Sequence, residues 1–170
     1  MLRFARLAFA GVFTATALTF SATLPTAAMA ADAVSTVELS DRAAIQNLVV
    51  KYTIALDTLD PDMYASVFAE DAEFTFGGMT HRGRADIRAV VTGLQERRAK
   101  RGGDAPKSYH VLSNTFVEFV NDHEAHHRSY WQTISGPSSG PFNVGGMGRY
   151  EDTLVKKNGQ WLIQKRDIIQ

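Results

Sequence analysis

The chain has 170 residues, with 18 basic and 18 acidic side chains and no cysteine. That balance argues against a nucleic-acid or anionic-membrane surface, since both require a basic excess. The lack of cysteine excludes a disulfide framework, a thiol nucleophile and a lipid-modified N-terminal cysteine.

The first segment in chain order has the layout of an export signal. Arg3 and Arg6 precede an apolar run from about Leu7 to Phe20, and Ala28-Met29-Ala30 offers a small-x-small cleavage site. This predicts a signal peptide over residues 1–30, cleaved after Ala30, and a periplasmic or secreted protein. The run is shorter than the roughly 20 apolar residues of a membrane span, and Thr14, Thr16 and Thr19 dilute it. No membrane association is expected after cleavage. The remaining chain suits one domain with a single core.

Residues 31–38 read as a short polar leader and residues 39–170 as the domain. Ser40 is the predicted N-cap of a long helix, with Asp41 in its first turn. Ile45, Leu48, Val49, Tyr52 and Leu56 recur at helical spacing and define a buried stripe. Asp60-Pro61 opens a second, short helix whose apolar face is Tyr64, Val67 and Phe68. Ala72 to Phe76 alternates as a strand does. Gly77-Gly78 turns the chain back through Thr80 to Arg82. A third helix is expected from about Gly83, with Ile87, Val90, Val91 and Leu94 inward. From Ser108 onward the pattern is a run of strands, the last two joined by the two-residue hairpin turn Asn158-Gly159. Helices followed by antiparallel strands indicate an α+β fold with the helices on one face of the sheet.

Asp57, at the end of the long helix, and His110, in the first long strand, are the minimum needed to move a proton without metal or cofactor. On an ideal helix Asp57 lies about 140° from Tyr52, so both face one cavity only if the helix ends there, as Thr58-Leu59-Asp60-Pro61 suggests. A buried Tyr52 needs a partner for its hydroxyl, and a ligand could supply it. His110 shares a strand face with Leu112, Asn114 and Phe116. Arg166 shares one with Leu162, Gln164 and Ile168, where a charge is costly unless paired. It reads either as an edge residue or as a cation that holds a polar substrate or leaving anion. His123, His126 and His127 do not make a metal site, because strand neighbours point to opposite faces. No metal or cofactor is expected. "GGMG" lacks the Lys-Ser/Thr of a phosphate loop, and there is no Gly-x-Ser-x-Gly elbow.

Three stretches, "DRAAIQNLVVKYTIALDTLDPDMYASVFAEDAEFTF", "SYHVLSNTFVEFV" and "GRYEDTLVKKNGQWLIQKRD", resemble the SnoaL-like branch of the nuclear transport factor 2-like superfamily. The resemblance covers residues 38 to about 168. It implies a cone-shaped α+β barrel, a curved antiparallel sheet wrapped around a long N-terminal helix, with two further helices and an interior pocket. Related catalytic branches include scytalone dehydratase, bile acid 7α-dehydratase, the lindane dehydrochlorinase and polyketide cyclases. The dehydrochlorinase dyad falls on Asp57 and His110 and its pocket arginine on Arg166, while Tyr52 matches a dehydratase tyrosine. Other pocket positions of these enzymes fall near Ser129 and Thr133, and both depart from the residues found there. The resemblance therefore implies a cofactor-independent lyase or isomerase of the dehydratase type, acting on a small apolar molecule and forming a homo-oligomer, a dimer or trimer. Two alternatives stay open: a non-catalytic binding or association module, and a polyketide-cyclase-like enzyme using Asp57 itself as acid and base.

Overall fold

The computed structural model describes residues 35–170 apart from 103, 104 and 138. The predicted export signal and residues 31–34 of the leader lie outside the described residues. Helix α1 spans Thr36–Thr58, α2 Pro61–Ser66 and α3 Gly83–Arg101. Strands β1 (Phe68–Phe76), β2 (Met79–Arg82), β3 (Lys107–Asn121), β4 (Glu124–Gly136), β5 (Asn143–Lys157) and β6 (Gln160–Ile169) form one sheet in the order β2-β1-β6-β5-β4-β3. Among the described residues no helix is long and apolar enough to cross a membrane.

The α+β class is as expected, with two corrections to the barrel. The curved sheet is not closed, because β2 and β3 are free edges, and β1 runs parallel to β6 while every other pair is antiparallel. The parallel pair follows from the chain entering the sheet through β1 after two helices, instead of by a hairpin. Asn158 and Gly159 both adopt positive φ, 53° and 77°, as the primed hairpin turn between β5 and β6 requires.

The long helix begins earlier than Ser40. Its N-cap is Ser35, whose hydroxyl accepts the Glu38 amide at 3.0 Å. Ser35-x-x-Glu38 fits the capping-box pattern, a stronger start signal than Ser40. Asp41 is therefore a buried helical residue instead of a first-turn charge. Its carboxylate accepts the Lys156 ammonium at 2.7 and 3.0 Å and the Trp161 indole N–H at 3.0 Å, tying the start of α1 to β5 and β6.

Ile45, Tyr52, Phe68, Ile87, Leu154 and Ile163 have no exposed surface and mark the core between helices and sheet. Two irregularities decide which side chains enter it. Asn114 takes a positive φ of 51°, and the β3–β4 register shifts between Ser113 and Phe116. His110 and Leu112 face inward before the shift, but Phe116 is exposed and Val117 buried after it. Simple alternation places Phe116 beside His110, and the extra residue inverts that. The register shift between Thr153 and Leu154 skips Gln164, which brings Ile163 and Arg166 to the same side.

The Lys156 and Trp161 hydrogen bonds hold the Asp41 carboxyl below its ordinary value of 3.8. A carboxyl lowered in the folded state contributes stability above its unfolded value and loses it as pH falls through the folded one. Asp41→Asn should lower the unfolding free energy by about 1–3 kcal/mol at neutral pH, measured by urea denaturation. The difference from wild type should close in acid, once Asp41 itself is protonated. Equal midpoints at neutral pH would remove this anchor from the account.

Candidate active site

α1 ends where its last turn can reach the sheet. Leu59 adopts a left-handed conformation (φ 55°), and the Asp60 amide returns to the Ala55 carbonyl at 2.8 Å. Asp57, two residues before this stop, points at the free edge of β3. Its carboxylate accepts the main-chain N–H of His110 at 3.0 and 3.1 Å and meets the ring Nδ1 at 2.6 Å. On the edge strand this amide has no strand neighbour of its own, so Asp57 both satisfies it and aligns the ring. An ionised carboxylate only accepts hydrogen bonds, so Nδ1 carries the proton and the neutral ring keeps its lone pair on Nε2. Both side chains are 15% exposed, enough to meet a ligand without facing bulk water.

The dyad opens on a pocket of about 670 Å³. Leu56, Phe74, Val90, Leu94 and Ile168 give it an apolar wall. The Trp131 ring lies 6.3 Å from the His110 ring and stacks on Tyr150. Gly148 is what lets this indole lie flat: a Cβ there would collide with the Trp131 ring and the Ile169 carbonyl. Tyr52, Tyr64 and Tyr150 also line the pocket, and the Tyr64 hydroxyl donates to that of Tyr52 at 3.2 Å. Burial raises all three phenols above their ordinary value, so they stay protonated donors.

Asp57, His110 and Tyr52 are thus brought to one cavity, and Thr133 joins them. Its hydroxyl is held by the Gly146 amide at 2.9 Å. Ser129 and Arg166 are not brought there. Ser129 faces inward from β4 but is buried and lines no part of the pocket. Arg166 has no exposed surface and lies beneath the tyrosines, its guanidinium carbon 4.0 Å from the Tyr52 ring centre and 4.3 Å from that of Tyr150. It donates to both oxygens of Asp152, at 2.7 and 2.6 Å, and Asp152 meets His127 Nδ1 at 2.7 Å. Arg166 therefore does not line the pocket: the charge at this inward position is paired within the protein, as its cost demands. Burial works against both ions, but each outweighs it for the other. Arg166 is raised above its ordinary value and Asp152 lowered below its own. His126 is exposed while His127 is buried, as alternation requires.

Several pocket residues carry no sequence signal of their function. Tyr64, Trp131 and Tyr150 read only as core aromatics, because nothing in an apolar pattern separates a core face from a pocket wall. His81, on a four-residue strand, also lines the pocket. Its one signal is Asp86, five residues on.

The α+β cone with a helix-end carboxylate and a strand histidine defines a class of small pocket proteins. The SnoaL-like domain model matches residues 37–167, and the chain belongs to that family. A search of curated proteins finds no match. Among solved structures, a scytalone dehydratase-like protein from Novosphingobium aromaticivorans is 27% identical, with TM-score 0.65, over 78% of this chain and 85% of that one. An aromatic ring hydroxylase-like protein from the same organism is also 27% identical, with TM-score 0.63, over 77% and 89%. The hexachlorocyclohexane dehydrochlorinase LinA (type 2) is 21% identical, with TM-score 0.65, over 78% and 86%, and shares the fold. These names differ in chemistry, so the site and not the fold must decide the activity.

The buried ion pair gives a prediction of its own. Asp152→Ala should destabilise the domain by about 3–5 kcal/mol, because it leaves a buried guanidinium uncompensated. The double variant Asp152→Leu/Arg166→Met should recover most of that loss in urea denaturation. A double variant as unstable as the single one would contradict the pairing account.

Proposed function

We propose that this protein is a cofactor-independent lyase or isomerase of the dehydratase type, in which His110 removes a proton from a carbon of a small, largely apolar molecule. The observation that carries this reading is the doubled contact of Asp57 with the amide and ring of His110, which leaves Nε2 for a ligand in an apolar pocket. Asp57 fixes the tautomer and stabilises the imidazolium that forms when the proton arrives. Tyr52 accepts from Tyr64 and has no exposed surface, so its own proton serves a carbonyl or leaving oxygen once a ligand opens the pocket wall to it. Arg166 acts from beneath, its charge against the tyrosine rings, and favours negative charge developing above them.

A polyketide-cyclase-like role for Asp57 as acid and base fits less well, since both of its oxygens already accept hydrogen bonds from His110. A binding module needs the pocket but not the oriented imidazole. The name of the scytalone dehydratase-like neighbour denotes a loss of water, which this apparatus suits. The export signal expected at residues 1–30 supports a periplasmic or secreted activity.

Benzylacetone in heavy water is a direct probe, because exchange of its acidic C–H bonds needs only a base. Wild-type protein should accelerate deuterium incorporation seen by NMR. A positioned base is worth about 10²- to 10⁴-fold, so His110→Ala should lose at least about a hundredfold while its circular dichroism is unchanged. Equal exchange in wild type and variant would end the assignment.

The fold also supports self-association. Tyr109, Val111, Tyr130, Val144 and Met147 are exposed on neighbouring strands β3, β4 and β5, a concentration of apolar surface suited to burial against another copy. Light scattering at micromolar concentration should give the mass of a dimer or trimer, reduced by Tyr130→Lys with Met147→Lys. A wild-type monomer would contradict it.

A further inference from the structure

We propose that His81 is a second catalytic residue of the pocket, a general acid that protonates a departing hydroxyl group while His110 takes the carbon proton, so that the substrates are β-hydroxy carbonyl compounds. The inference rests on His110 being the base and adds the leaving-group half of the reaction.

β2 and β3 are the two opposite edges of the sheet, yet His81 on β2 and His110 on β3 line the same pocket. The curvature of the sheet thus sets two imidazoles on separate walls of one cavity. His81 also has a carboxylate neighbour, at a longer distance and with more exposure than Asp57 beside His110. Its Nδ1 lies 3.3 Å from the Asp86 carboxylate, which leaves Nε2 as its free nitrogen, and its ring stacks on the pocket residue Phe74 at 6.0 Å. Asp86 sits in the first turn of α3 and also accepts the Arg82 amide at 3.1 Å. The Arg82 amide, and after it His81, hold the Asp86 carboxyl below its ordinary value.

Other groups around the pocket are less able to release a proton. The phenols of Tyr52, Tyr64 and Tyr150 are raised by burial and can donate a hydrogen bond but do not readily ionise. The remaining charges near His81 are cationic or already paired. Arg97 and Arg98 line the pocket from α3, Arg84 holds the Phe68 carbonyl and Glu70, and Arg82 pairs with Glu73. Imidazole is the side chain suited to passing protons near neutral pH.

In the reaction, the C–H bond α to the carbonyl breaks and its proton goes to His110 Nε2. The electron pair forms the C=C bond, the C–O bond breaks, and the oxygen takes a proton from His81 Nε2 and leaves as water. Both histidines then reset by proton exchange with solvent.

Three probes separate the roles: benzylacetone for C–H exchange, the aldol of benzaldehyde and acetone for loss of hydroxide, and the nitrophenyl ether of that aldol for loss of an anion that needs no acid. His81→Gln should lower enone formation from the aldol at least about a hundredfold, and far more than it lowers exchange or nitrophenolate release. The acid role is overturned if the variant dehydrates the aldol as fast as wild type, or if all three reactions fall together. It is also overturned, with the base role intact, if wild type exchanges benzylacetone but leaves the aldol unchanged. No exchange by wild type removes the base reading, and the acid role with it.

Discussion

The Asp57 carboxylate ties the end of α1 to the open edge of β3 by taking both the main-chain and the ring N–H of His110. Helix and strand are joined there by little else so directed. Hydrogen bonds to an ionised partner are worth about 1.5–3 kcal/mol each, so the contact fixes a loose edge while it selects one tautomer of the imidazole. Structure and chemistry are the same interaction at this point. The left-handed turn at Leu59 serves it, by stopping the helix before the next turn could carry the chain past β3.

Beneath the pocket, a second polar system supports the first without touching a ligand. Asp152 holds Arg166 and His127 out of water, and the guanidinium lies against the rings of both Tyr52 and Tyr150. A buried pair of this kind is weak evidence for stability, since apolar residues of similar volume often do as well. Its value here lies in placement. In the proposed reaction it would supply a positive charge behind the buried tyrosines, already in place before negative charge develops.

Much of the fold was legible because the signals are local and strong. The Tyr52 stripe, the Asp60-Pro61 start, the Gly77-Gly78 turn and the Asn158-Gly159 hairpin each follow from spacing or backbone conformation at a few residues. The Asp57–His110 pairing joins residues far apart in sequence, and it was legible through resemblance more than through periodicity. What failed did so for identifiable reasons. An extra residue at Asn114 inverts strand alternation, so Phe116 is exposed where a regular strand buries it. Arg166 and Ser129 face inward as their positions suggest, but facing inward below a pocket is not lining it. Only the stacking of Tyr52 and Tyr150 over Arg166 decides that. His81 escaped because a four-residue strand has too little pattern to distinguish a pocket face from a turn.

The account turns on His110 carrying its proton on Nδ1, held there by Asp57, with Nε2 free. Nitrogen-15 NMR of histidine-labelled protein tests this with no substrate at all. The neutral His110 ring should show the Nδ1–H pattern, and Asp57→Ala should abolish that preference. A neutral His110 protonated on Nε2, or one whose tautomer is indifferent to the loss of Asp57, would contradict the central claim.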